Sequence, residues 1–215
     1  MQATVREATA ADSDLIAWVQ VEASRSGTPL GFWDLAFPGA DAQRLALVAR
    51  VVAEPGKPSF SHFGGFLVAE LEGEPVGALS GYAPGEKKLG HFAGALSRVL
   101  EAEGWSAAHR DLLWKRVDPM VACMSDTPAD RFVVEWVALR PEARGKGVAT
   151  QLLDAILQRG REAGFRKAQI SALIGNTPAV RCYERAGFVS VDEKRHRDFE
   201  AVFGAPGITC MWRDL

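Results

Sequence analysis

The stretch Arg131 to Thr150, RFVVEWVALRPEARGKGVAT, places one carboxylate and a pair of glycines where each could act on a substrate. Glu135 is the only carboxylate inside the apolar run Phe132 to Val137, and strand alternation predicts that it shares a face with Val133 and Val137. Apolar neighbours disfavour the charged form, which raises the pKa and makes the group a better base. The alternative uses are an ion pair with an arginine and an exposed strand end. Farther on, Arg144-Gly145-Lys146-Gly147 leads into Val148, Leu152, Leu153, Ile156 and Leu157, apolar residues at helical spacing. A helix that starts at such a turn leaves its first N–H groups unpaired at the positive end of its dipole, with Arg144 and Lys146 beside them. That is an anion seat, and glycine lets a phosphate reach the main chain because no Cβ intervenes. Taken alone, a Gly-x-Gly is as well explained by a tight turn.

Spacing removes two phosphate motifs. A P-loop needs Gly five positions before Gly145 and Ser or Thr after Lys146, where the chain has Arg140 and Gly147. A dinucleotide fingerprint needs Gly or Ala at the position of Thr150. What fits is Arg-x-x-Gly-x-Ala at Arg144, Gly147 and Ala149, which resembles the pyrophosphate signature of the GNAT superfamily of CoA-dependent N-acyltransferases. Downstream, Asn176-Thr177-Pro178-Ala179-Val180-Arg181-Cys182-Tyr183-Glu184-Arg185-Ala186-Gly187-Phe188 resembles the same family's Asn-x-x-Ala-x-x-x-Tyr-x-x-x-Gly-Phe element. The resemblance is close from Arg131 to Phe188 and reaches the flanks only as a pattern.

The resemblance implies a set of roles. The main chain of Val137, Ala138 and Leu139 would take the pantetheine arm of acetyl-CoA, and the N–H groups of Arg144, Gly145, Lys146, Gly147, Val148, Ala149 and Thr150 its pyrophosphate. Asn176, Ala179 and Tyr183 would line the opposite wall, with Tyr183 the general acid that protonates the departing thiolate; otherwise Tyr183 is a packed core residue. An amine of lysine type has a free pKa of ~10.4, so a base must take its proton, and Glu135 is the candidate, acting through a water. A strand N–H around Val137 to Leu139 would stabilise the oxyanion formed on attack. The expectation is direct acyl transfer in a ternary complex, since no Ser-His-Asp or Cys-His pair supports a covalent route. The competing readings are a CoA-binding sensor without turnover and an enzyme for a bulkier acyl donor. The acceptor, a small-molecule or peptide amine, is not named by the sequence.

The elements that must position these groups read as an α/β fold, a mixed sheet of the acyl-CoA N-acyltransferase type. The order is a strand from Thr4, helices from about Thr9 and Asp41, strands Phe63 to Leu71 and Pro75 to Tyr82, the central strand and helix, a strand Lys167 to Ile174, a helix opened by Asn176, and two closing strands. Leu89 to Ala102 and Ala107 to Val117 form an inserted helical pair between the third and fourth strands, within a segment of about 85–128. A cap beside the acceptor site and a homodimer contact are its two readings. The aromatic loop Gly27 to Ala40 is either core plugging or an acceptor wall, and a loop Phe199 to Gly207 would reach the groove.

The 215 residues suit one domain, and a formal charge of −2 gives no basic field for nucleic acid. Three scattered cysteines without a CxxC pair predict reduced thiols in a cytoplasmic protein and no metal site; Cys182 is expected to pack rather than to act as a nucleophile. The polar start lacks a signal-peptide pattern, and no apolar run approaches the ~20 residues that span a bilayer.

Overall fold

The computed structural model describes residues 3–215. Its elements are β1 (Thr4–Glu7), α1 (Ser13–Arg25), α2 (Phe32–Ala36), α3 (Asp41–Val52), β2 (Phe66–Leu71), β3 (Glu74–Tyr82), α4 (Leu89–Ala102), α5 (Ala107–Val121), β4 (Phe132–Leu139), α6 (Val148–Glu162), β5 (Lys167–Leu173), α7 (Thr177–Arg185), β6 (Val189–Arg195), α8 (Arg197–Phe203) and β7 (Gly207–Asp214). The seven strands lie in the order β1-β2-β3-β4-β5-β7-β6. All neighbours are antiparallel except β4 and β5, the pair joined by the α6 crossover. This is the mixed α/β sheet expected, with the α4–α5 pair inserted between the third and fourth strands.

The helical stripe of α6 explains one face of the sheet. Val148, Leu152, Leu153, Ile156 and Leu157 are all buried against Phe132, Val134, Ile170 and Met211, each such side chain contributing roughly 1.5–3 kcal/mol of burial. On the other face α1, α2, α3 and α4 press Ile16, Val19, Trp33, Val48, Val52 and Phe92 onto Phe66, Val68 and Ala78. A third, smaller cluster joins Cys123, just past α5, to Leu173 at the end of β5 and to Phe199 and Phe203 of α8. The insert therefore spans the molecule: α4 belongs to the second cluster and the far end of α5 to the third.

Several boundaries differ from the sequence reading. The aromatic loop holds a short helix, α2, because Asp34 accepts a hydrogen bond from Gly31 N–H (2.9 Å) and caps its start. The strand expected from Phe63 begins at Phe66, behind a 3-10 turn over Phe63–Gly65. The loop expected from Phe199 is mostly α8, which Gly204 ends in a left-handed conformation (φ 70°). α5 continues through Pro119, two residues before its end, where the ring removes one i→i−4 hydrogen bond from the last turn. Among the described residues no helix is long and apolar enough to cross a membrane.

β3 and β4 approach so closely that Gly77 has no space for a side chain. An added Cβ would lie 2.5 Å from both Ala138 O and Leu139 Cδ2. Gly77→Ala is therefore expected to cost about 1–3 kcal/mol and to lower Tm by several degrees in differential scanning calorimetry. Gly90→Ala, in the open first turn of α4, should leave Tm unchanged or slightly higher; equal behaviour of the two variants would contradict this account.

Candidate active site

β4 parts from its parallel neighbour halfway along. Its pairing with β5 covers only Phe132, Val133 and Val134, opposite Ala168, Gln169 and Ile170, although both strands continue. From Glu135 onward β4 keeps β3 on one edge and has no strand on the other. The main chain of Val137, Ala138 and Leu139 thus has no strand partner on the β5 side, which leaves hydrogen-bonding groups on that edge unpaired by the sheet. Leu139 O is taken by Arg144 Nε at 3.1 Å.

A bulge accompanies the parting. Ala78 faces Ala138 and Ser80 faces Glu135, so Trp136 and Val137 together oppose Leu79, and Trp136 has φ 55°. The bulge breaks alternation and corrects the sequence reading of the faces. Val137 packs with the α6 cluster beside Val134, whereas Trp136 joins the cluster under α1 and α2. Glu135 keeps the face of its register partner Ser80 and of Tyr82, but not that of Val137.

Tyr82 Oη donates to Glu135 Oε1 at 2.9 Å. Burial pushes the Glu135 carboxyl up to about 7, and the Tyr82 hydrogen bond, which favours the anion, opposes that rise. Tyr82 is itself held protonated by burial and by the neighbouring carboxylate. Tyr82 was not singled out by sequence reasoning; the contact spans 53 positions, and only the β3–β4 register reveals it.

The turn after β4 is open. Gly145 and Gly147 have φ 72° and 79°, and a Cβ at either would meet nothing within 4 Å. Gly147 is the N-cap of α6 and no side chain caps it, so the N–H groups of Val148, Ala149 and Thr150 face outward. Lys146 and Arg144 are exposed beside them. A cleft of about 330 Å³ runs from Leu139 past Gly145 and Gly147 to Thr150, and its far wall is Cys182 and Arg185 of α7. The two sequence motifs therefore face one space, and Arg185 adds a third cation that the spacing did not single out. The donor set, uncapped N–H groups with Arg144, Lys146 and Arg185, fits a diphosphate.

On α7, Tyr183 is buried and packs edge-to-face on Phe188 at 6.4 Å. Burial, with Cys182 beside it, raises its pKa and keeps it protonated. Asn176 is the N-cap of α7: Oδ1 accepts from Ala179 N–H and Nδ2 donates to Ser26 O, each at 3.2 Å. Both ends of that amide are engaged in holding α7 to the end of α1, and none of Asn176, Ala179 and Tyr183 lines the cleft, contrary to the sequence expectation. Burial raises the Cys182 thiol too, which leaves it protonated and a poor nucleophile. No group of three or more His, Cys, Asp or Glu among the described residues is placed to hold a metal ion.

Comparison with known proteins agrees with this geometry. A family model described as the acetyltransferase (GNAT) family matches residues 51–188. A mycothiol acetyltransferase of Corynebacterium aurimucosum is 43% identical over 68 residues, 32% of this chain and 22% of that protein, so the match spans about a fifth of the relative's length. Among solved structures, one described as an acetyltransferase superposes with a TM-score of 0.70 at 21% identity over 98% of both chains. An N-acetyltransferase of Staphylococcus aureus Mu50 does so at 0.62 and 16%, covering 98% of this chain and all of that one. The family match covers most of the chain and takes in both the uncapped turn and the facing helix, and on that ground the chain belongs to the GNAT family of acetyltransferases.

Proposed function

We propose that the protein transfers the acetyl group of acetyl-CoA to a primary amine within a ternary complex, without an acyl-enzyme. The observation that carries this reading is the shared cleft: the uncapped start of α6 faces α7 across it, and β4 leads from there back to Glu135. When bound, acetyl-CoA supplies an activated thioester. Its pyrophosphate would rest on the N–H groups from Arg144 to Thr150, with Lys146 and Arg185 neutralising charge, and its pantetheine arm would pair with the free edge of Val137, Ala138 and Leu139. Asn176 and Ala179 then act from behind, by fixing the start of α7 and so the position of Tyr183.

In this mechanism Glu135 takes a proton from the incoming ammonium, directly or through a water, and Tyr82 holds the carboxylate in place. The nitrogen attacks the thioester carbonyl, an N–H of β4 steadies the oxyanion, the C–S bond breaks as Tyr183 gives its proton to the sulfur, and the new amide nitrogen sheds its second proton to water. The products are the amide and the free thiol; Tyr183 regains a proton from solvent and Glu135 returns its own. We further assign the described chain to one domain acting in the cytoplasm, a reading supported by its three unpaired cysteines.

Glu135→Gln should lower kcat by about 10²–10⁴ with CoA affinity, read by calorimetry, almost unchanged. Tyr183→Phe should reduce kcat by about 10², also without loss of CoA binding. Wild-type turnover in either variant would sink the corresponding role.

The carboxyl pKa of about 7 sets the acid limb of the kcat profile: turnover should rise with an inflection near pH 7 as the base ionises. Removing the donor in Tyr82→Phe favours the neutral acid, so that inflection should move upward. The same shift has a stability consequence. A folded pKa of about 7 against an ordinary 4.5 favours the fold at low pH, and this contribution is lost as pH rises from about 4.5 through 7. Glu135→Gln should therefore stabilise the protein at pH 8, by at most about 3 kcal/mol, and far less at pH 4.5. Thermal melts at the two pH values that gave the same increment would refute the buried carboxylate.

A further inference from the structure

We propose that the acceptor site is a bowl of aromatic rings around Glu135 that takes a primary monoamine with an apolar or aromatic body. This rests on the acetyl-transfer reading above and names the class of its second substrate.

The rings form an arc that begins and ends at the carboxylate. Tyr82, whose hydroxyl holds Glu135, stacks on Phe60 with ring centres 6.0 Å apart. Phe60 stacks on Phe92 at 4.8 Å, and Phe92 meets Phe32 at 5.9 Å and Trp33 at 5.8 Å. Trp33 reaches Trp136 at 6.4 Å, and Trp136 follows Glu135 in the chain, turned to the same side of the sheet by the bulge. Five separate segments contribute, and α4 of the insert is one of them.

Two observations separate this arc from ordinary core. Phe32, Phe60 and Trp136 are only partly buried, so the arc has an open side. In addition, the buried indole N–H groups of Trp33 and Trp136 have no hydrogen-bond partner among the described residues, and a cluster selected for packing alone avoids such unpaired donors.

The charges fix what kind of amine fits. Ring faces attract one ammonium through their quadrupoles, and Glu135 stands ready to remove its proton. A second ammonium would have nothing to pair with. Asp34, the carboxylate on α2, is already held by Arg25 at 2.7 Å and by Arg44 at 3.2 Å. Burying an unpaired charge among aromatic rings is strongly disfavoured. The bowl thus rejects polyamines and aminoglycosides and accepts monoamines.

The test is thiol release from acetyl-CoA with 2-phenylethylamine, isoamylamine, spermidine and kanamycin as acceptors. The two monoamines should exceed the two polycations in kcat/KM by at least about tenfold. Phe60→Leu and Phe32→Leu keep an apolar side chain of similar bulk, and each should lower kcat/KM for 2-phenylethylamine about tenfold while KM for acetyl-CoA stays constant. A preference for spermidine or kanamycin, or wild-type kcat/KM in both variants, would overturn the proposal. Calorimetric titration of 2-phenylethylamine into the CoA-bound protein separates the two layers of inference. Binding without turnover keeps the bowl and removes the catalytic reading; neither binding nor turnover removes the bowl.

Discussion

The constraint on which the rest of the structure depends is that β4 stops pairing with β5 after Val134 while both strands continue. A buried parallel strand normally satisfies its main chain on both edges, and unpaired buried N–H or C=O groups are costly. Here one carbonyl on the edge, that of Leu139, is taken by Arg144, and Leu139 also borders the cleft at the start of α6. The bulge at Trp136 is the local means of parting. It turns β4 away from β5, places a bulky side chain at φ 55°, and sets Glu135 and Trp136 on one face. Such strained backbone persists only where its surroundings hold it, and the β3 ladder at Gly77 and Ala78 does so on the other edge.

Once the sheet opens, something must close the gap below the opening, and the three clusters show how the labour divides. The α6 cluster runs unbroken beneath all central strands and keeps the two halves of the sheet together. The opposite face is split into a large cluster over β2, β3 and β4 and a small one at the end of β5. α5 reaches from one to the other, and Leu35 of α2 packs against both. Asn176 adds a polar tie between the same halves, since its amide joins the start of α7 to Ser26 at the end of α1. The insert is in this sense a strut across the parted sheet as well as a contributor of Phe92 to the arc of aromatic rings.

What could be read in the sequence was what depends on neighbours in the chain. The glycine turn, the uncapped helix start, the two motifs and the α4 boundaries follow from spacing and periodicity, and the structure places the motifs on opposite walls of one cleft. What could not be read depends on register or on distant partners. Strand alternation put Val137 beside Glu135, and a single bulge reversed it. Tyr82 looked like the end of an apolar strand until the β3–β4 register set its hydroxyl against the carboxylate. α2 and α8 were hidden because each is short and flanked by glycine, so its helical period never completes enough turns to be counted.

The same burial that makes Glu135 useful also argues for the architecture around it. A carboxylate taken out of water becomes neutral unless something favours its charge, and a neutral acid cannot accept the amine's proton. An arginine beside it would restore the charge but would depress the pKa far below the working range and compete with the ammonium for the same oxygen atoms. A neutral phenol avoids both problems: Tyr82 gives one hydrogen bond, which limits the rise in pKa without repelling the incoming cation. Arg25 and Arg44, on the same face of the sheet, are occupied by Asp34. The aromatic surroundings then follow from the same requirement, since they shield a partly buried carboxylate while remaining attractive to a single positive charge. In the proposed mechanism, the pairing of one uncharged donor with a ring-lined wall is what would let a glutamate within a β-strand serve as a base near neutral pH.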